Sequence, residues 1–296
     1  MSGMDPRFLA HVESGSTMLC RCWAITRKDG VVYGFTDHDM NLAFESITFK
    51  ADSGLSALAL QQSTGLSIDN TEAIGALSDA AVREEDIDAG RFDGADVRAW
   101  LVNWSDVSVR WLQFRGSIGE LRRSGGMFHA ELRGLTEALN RPLGRIYQKP
   151  CTAVLGDSAC GFDLARSGYS EQRPVEEIEN RRVFSWQGMS NFEPGWFARG
   201  RLLVESGTAK DLWGLIKHDR FEDGARVIEL WEPLRAEIRA GDIVRLDAGC
   251  DKRMETCRLK FNNFLNYQGF PDIPSEDWMM AVPKQTGINS GGSRRR

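Results

Sequence analysis

The sequence predicts a mainly β (α+β) fold. Two observations carry this. Short runs of alternating apolar and polar residues recur along the whole chain, separated by glycine-bearing turns. Stretches with helical periodicity are few and short. A third observation sets the scale: 296 residues, 42 % apolar and 27 % charged, suit a soluble globular chain of about two domains.

Taken in order, CRCWAITRKDGVVYGFTD reads as a hairpin turning at Lys28-Asp29-Gly30. Strands follow in SITFKA, VRAWLVNW, VRWLQFRGSIGEL and MFHAELRG, the last two parted by Ser124-Gly125-Gly126. RRVFSWQGM, WFARGRLLVES, ARVIELW and DIVRLDAG supply strands in the second half. SGLSALALQQ is expected to be partly helical, and a helix is expected just before Gly90. LRGLTEALNRPLG holds a helical turn or two, closed by Pro142 and Gly144. CRLKFNNFLNYQG reads as a helix ending near Gly269. Residues 165–182 are polar and expected at the surface.

The segments RFDGADVRAWLV (91–102) and RFEDGARVIELW (220–231) echo each other. If they mark a duplication, each half of the chain holds a related β-rich domain. The division falls near Lys149-Pro150: residues 1–149, then 150–270. Residues 271–296 form an extension whose last residues, NSGGSRRR, read as a solvated basic tail.

Composition excludes several classes. No run of about eighteen apolar residues is present, so stable membrane insertion is not expected. The first residues lack the basic-then-apolar pattern of a secretory signal. A net charge of -5 argues against a dedicated nucleic-acid binder. There is no P-loop, dinucleotide fingerprint, H-E-x-x-H or G-x-S-x-G, and the chain is expected not to be an enzyme. Nine tryptophans, including Trp100, Trp186, Trp213 and Trp231, serve either as core or as interface anchors.

Six cysteines are present. Cys20 and Cys22 share one face of a strand by period two and read as core. The other four form two pairs, CTAVLGDSAC (Cys151, Cys160) and GCDKRMETC (Cys250, Cys257), about ninety residues apart. The spacings C-x8-C and C-x6-C are looser than the C-x2-4-C of zinc ribbons and differ from ferredoxin patterns. In an unbroken helix Cys250 and Cys257 would lie about 10.5 Å apart along the axis. Joint ligation therefore predicts non-helical backbone within Asp251 to Thr256, with a helix starting near Cys257. Gly161 and Gly249 would let backbone N–H groups approach sulfur. Lys252, Arg253 and Arg258 would offset thiolate charge. Spacing leaves free thiols, disulfides, zinc and an iron–sulfur cluster open.

Asp37, His38 and Asp39 are a weaker candidate. On a strand only the two aspartates would converge, and the segment reads as a structural turn.

The ordered series GFTDHDMNL, GRFDGADVRAWLVNW, FRGSIGEL, CTAVLGDSACGFDL and GCDKRMETCRLKFNNFLNYQGFPDIP resembles the tail hub (baseplate hub) proteins of gene transfer agents and siphophage-like particles. The cysteine region is similar to that of the lambda tail-tip protein L. The resemblance implies two related β-barrel tube-type domains with smaller peripheral elements and an iron–sulfur-bearing segment. It implies a 4Fe–4S cluster on Cys151, Cys160, Cys250 and Cys257, with zinc as the alternative. It implies a homotrimeric, non-catalytic ring closing the tail tube. Its partners would be the distal tail protein, a tip/fibre (megatron-type) protein and a tail-associated peptidase, with DNA passing through the lumen unbound. The place would be a virion-like tail baseplate, assembled in the bacterial cytoplasm. The competing expectation is a zinc-stabilised cell-wall or glycan-binding tail-tip module.

Overall fold

The computed structural model describes residues 4–51, 55–57, 70–76, 83–124, 127–134 and 144–273. Helix α1 (Pro6–Glu13) comes first, capped by the Asp5 carboxylate, which accepts from the Arg7 amide at 2.8 Å. Nine strands follow: β1 (Leu19–Thr26), β2 (Val32–Thr36), β3 (Leu42–Phe44), β4 (Ile47–Phe49), β5 (Leu55–Ala57), β6 (Asn70–Ala76), β7 (Asp96–Asn103), β8 (Arg110–Ser124) and β9 (Met127–Gly134). The short helix α2 (Glu84–Asp88) lies between β6 and β7.

Seven of these strands form one antiparallel sheet in the order β2-β1-β7-β8-β9-β6-β5, with β3 and β4 pairing separately. Period two decides what β1 buries on each side. Trp23 and Ile25 join Val97, Ala99 and Phe114 in one core. Cys20, Cys22 and Ala24 face the other way, with Trp100 and Val102, and lie beneath Phe44 and Phe49 of the β3-β4 hairpin. Cys20 and Cys22 are thus core residues, as expected, and burial on both faces explains the nearly continuous apolar run of β1. The predicted hairpin is present, Thr26 pairing with Val32.

The second half builds β10 (Ser170–Pro174), β11 (Glu177–Glu179), β12 (Val183–Gln187), β13 (Arg201–Val204), β14 (Trp213–Glu222), β15 (Ala225–Leu230) and β16 (Ile243–Asp247). Their order is β10-β16-β13-β14-β15-β12-β11. The outer strands β10 and β11 are separated only by Val175 and Glu176. One stretch of chain therefore pairs with β16 and then with β12, and the sheet curls back on itself. A bulge in β14 between Ile216 and His218 helps the bend. The curl encloses Phe184, Trp186, Leu202, Ile216, Ile228, Val244 and Leu246. The buried Trp186 indole donates to Pro174 O at 2.8 Å, tying β12 to the end of β10.

The two sheets repeat one topology. In the first, the hairpin β5-β6 joins through β6 to the meander β9-β8-β7. In the second, β11-β12 joins through β12 to β15-β14-β13. β1 lies beside β7, whereas β16 intervenes between β10 and β13. The equivalent of β7 is therefore β13. The sequence echo instead aligns residues 91–102, which enter β7, with residues 220–231, which span the β14-β15 turn. The halves are related in topology, but that echo does not mark equivalent positions. It reflects a turn-into-strand pattern that any antiparallel sheet can reuse.

Other expectations shift. Leu55–Ala57 is strand, not helix, and the remainder of that stretch lies outside the described residues. Most of LRGLTEALNRPLG also lies outside them. The helix before Gly90 is present as α2. The polar stretch 165–182 is largely exposed yet contributes β10 and β11 at the sheet edges. WGLIKHDRFE, unassigned in the sequence, forms the central strand β14; Gly214 and the bulge interrupt the alternation that would have marked it.

Candidate functional site

The ladder β10-β16 decides where the cysteines meet. Ser170 pairs with Asp247, so the chain before β10 and the chain after β16 emerge at the same end of the sheet. The Ala248 amide extends the ladder to Tyr169 O at 2.7 Å. Residues 151–169 and 248–270 are thereby brought together, although about ninety residues separate the two cysteine pairs.

Each pair sits on a tightly held loop. In the first, the Asp157 carboxylate accepts from the amides of Val154 (2.8 Å), Ala159 (3.0 Å) and Cys160 (2.7 Å). Those donors, the Cys160 amide foremost, hold the carboxyl below its ordinary range. Gly161, at φ +61°, turns the chain out, its amide bonded to Asp157 O at 2.7 Å.

In the second, Gly249 donates to Trp196 O at 2.9 Å, and a Cβ there would overlap Ala198 O. Lys252 takes a left-handed φ of +67°. Its carbonyl accepts from the Cys151 amide at 2.9 Å, joining the two cysteine segments directly. Helix α3 (Met254–Leu259) then begins and carries Cys257. The backbone break required between Cys250 and Cys257 is present at Asp251–Arg253. The helix starts one turn earlier than expected because the left-handed Lys252 completes the change of direction. It also ends sooner: Asn262 at φ +47° breaks it, and only a 3-10 turn, Phe264–Asn266, follows.

Cys151, Cys160, Cys250 and Cys257 all line one small cavity, with Leu155, Lys252, Arg253, Phe261, Asn263 and Tyr267. Phe162, Tyr169, Phe261 and Trp196 pack beneath it. All four thiols are free, as are Cys20 and Cys22, so the disulfide alternative is not realised. Burial pushes the Cys257 thiol up to about 11, and the proximity of Cys250, Cys151 and Cys160 adds to the rise. Burial likewise raises Cys250. Among the described residues, no three His, Cys, Asp or Glu side chains are gathered closely enough to hold one metal ion.

Two residues absent from the sequence argument shape this site. The Asn263 amide donates to Cys160 O at 2.7 Å and approaches Cys160 Sγ at 3.5 Å. Cys257 Sγ donates to Asn263 O at 3.3 Å. Lys260 Nζ is buried between Trp196 O (2.6 Å) and Gly249 O (2.9 Å), over the Trp196 ring. Burial lowers it to about 8. The only signal for either was their place in CRLKFNN, just after the last cysteine. The glycine amides, expected to face sulfur, instead bond main-chain carbonyls. Of the three cations expected to offset thiolate charge, Lys252 and Arg253 line the cavity and Arg258 does not; Lys252 Nζ bonds Ala153 O.

The Asp37-His38-Asp39 segment is a turn. Asp37 Oδ1 accepts from the Arg21 amide at 2.6 Å, His38 Nδ1 from the Met40 amide at 3.0 Å, and the His38 ring lies against Trp104.

A family model described as "baseplate hub protein, N-terminal attachment domain" matches residues 5–163. The chain belongs to the baseplate hub family. A second model, a phage conserved hypothetical protein, matches residues 195–277 of this hub protein. The hub chain is also similar to a chain in the solved virion of a native gene transfer agent particle. Identity is 52 %, covering 98 % of this chain and 99 % of that one, with a TM-score of 0.91. No match is found among curated proteins. The first family segment contains Cys151 and Cys160 and the second contains Cys250 and Cys257, so the cavity is built across both. Among the described residues no helix is long and apolar enough to cross a membrane.

Proposed function

We propose that this hub protein forms a three-fold ring that closes the tail tube of a phage-like particle and adapts it to the tip proteins during DNA delivery. The observation that carries this reading is 52 % identity to a gene transfer agent virion chain over nearly the full length. The repeated topology supports it: three chains, each with two alike sheets acting as tube-type barrels, present six similar units to a six-fold tube. The partners are the distal tail protein, a tip/fibre protein and a tail-associated peptidase. DNA passes without specific binding, in keeping with the net charge of -5. The role is structural rather than catalytic, in a tail baseplate assembled in the bacterial cytoplasm.

In this reading Cys151, Cys160, Cys250 and Cys257 hold a 4Fe–4S cluster. Support comes from an all-thiol donor set around one cavity. Zinc requires four sulfurs about 2.3 Å from a single point, whereas each thiolate of a cluster binds its own iron. When bound, the cluster would supply a cross-link rather than a reaction. By the chain-entropy estimate, closing a loop of roughly ninety residues contributes about 4–5 kcal/mol. Asn263 and the Lys252–Cys151 bond hold the two segments in place for it.

Mass measurement of the purified chain, alone and with the distal tail protein, tests the ring. Three chain masses are expected in at least one condition. A monomer in both, together with DNA delivery by particles lacking the chain, would overturn it.

A further inference from the structure

We propose that the free edge of β2 takes up an extended segment of a partner protein that carries acidic side chains. β2 is the outermost strand of the first sheet. The Arg27 amide bonds Val31 O and the Asp37 amide bonds Arg21 O. In an antiparallel ladder this turns the odd-numbered residues of β2 toward β1 and the even-numbered ones away. Only part of the outward edge is covered. Lys50 bridges Phe35, donating to Gly34 O and accepting from the Thr36 amide, both at 3.0 Å. Ile47 and Thr48 of β4 lie beside this stretch, but the outward N–H and C=O of Val32 have no hydrogen-bond partner among the described residues. Val31 and Val32 are 42 % and 44 % exposed.

The second sheet lacks this gap, because β10 and β11 run into each other and cover both edges. In the first sheet β2 is the end strand, and its leading half pairs with no further strand among the described residues. Unpaired edges of this kind accept further strands.

The open edge borders a cavity of about 900 Å³ lined by Val31–Phe35, the β3-β4 turn and Arg27, Arg83, Asp86 and Arg98. Charge selects the occupant. Asp86 is engaged by Arg27 (2.9 Å) and Arg91 (3.1 Å), and Glu45 by Arg98 (3.0 Å) and Arg110 (3.2 Å). Lys50 and Arg83 are exposed and have no ion pair among the described residues. Among the described residues the uncompensated charge of the groove is positive, which suits a strand bearing carboxylates. A second copy of β2 would bring the same cations against each other.

The test uses hydrogen exchange across Val32–Gly34 in the full chain, with a ten-residue peptide alternating threonine and glutamate and its lysine counterpart. The glutamate peptide is expected to slow exchange about tenfold or more, and the lysine peptide not to. Val32→Pro removes an outward N–H without touching the β1 ladder. It should abolish the effect with an unchanged melting temperature. Lys50→Glu with Arg83→Glu should transfer the preference to the lysine peptide, a result that does not depend on the proline variant folding. Slow exchange in the free chain, equal response to both peptides, or self-association broken by Val32→Pro would each overturn the proposal. None of these readouts depends on the ring or the cluster.

Discussion

Arg226→Met breaks a fully buried ion pair and is expected to destabilise the second sheet and its core by about 3–5 kcal/mol. Arg226 is 0 % exposed. Its guanidinium donates to Asp219 through Nε (2.8 Å) and Nη2 (2.6 Å). The remaining donors satisfy Phe192 O and Glu193 O at 2.8 Å each, and approach Met189 O at 3.4 Å. Methionine fills similar volume but leaves the Asp219 carboxylate buried with only the Phe197 amide, 2.8 Å away, as a strong donor. It also orphans the carbonyls of the loop leading to Trp196, whose own carbonyl positions Gly249 and Lys260 beside the cavity. The loss corresponds to a fall in the folding equilibrium constant of about 10²- to 10⁴-fold. With a urea m-value of about 3 kcal/mol/M, the unfolding midpoint followed by tryptophan fluorescence drops by about 1–1.7 M. Adding Asp219→Leu removes the stranded charge and should recover part of the loss. A single-variant effect below about 1 kcal/mol, the range of an exposed pair, would refute the reasoning.

Asp157→Ala removes the acceptor of three loop amides and should cost about 1.5–3 kcal/mol. Cys160 should then react faster with a thiol reagent, and an unchanged rate would contradict the capping role. Gly249→Ala forces a methyl group into Ala198 O and is expected to lower the melting temperature by several degrees or abolish soluble expression; wild-type stability would show that the close approach is not required. Glu229 is held below its ordinary range mainly by its hydrogen bond with Lys217, aided by Arg182 and Arg220. A depressed carboxylate contributes stability that is fully present above its unfolded value near 4.5 and lost as pH falls through the lower folded value. Lys217→Ala should raise the Glu229 midpoint in a carboxyl NMR titration, and no movement would count against the pairing.

Much of the β architecture was legible because alternation survives wherever a strand buries one face. The hairpin β1-β2 and the strands β7, β8, β9, β12 and β15 follow it closely. β14 escaped because a glycine and a bulge interrupt its pattern, and β10 and β11 because edge strands bury little. The duplication was inferred from residues that turn out to be non-equivalent; topology, which local patterns do not encode, is what relates the halves. For the candidate site, helix geometry correctly demanded a break after Cys250. The partners Asn263 and Lys260 were not legible, since only the β10-β16 register brings residues 151–169 against residues 248–270. That register also explains why two distant cysteine pairs reach one cavity.

Iron and acid-labile sulfide, measured on protein purified without oxygen, test the proposed staple most directly. Wild type and the Cys20→Ser variant are predicted to hold about four of each per chain, in brown protein, while Cys151→Ser loses both and becomes easier to unfold. A colourless wild-type protein with one zinc per chain and no sulfide would contradict the cluster assignment.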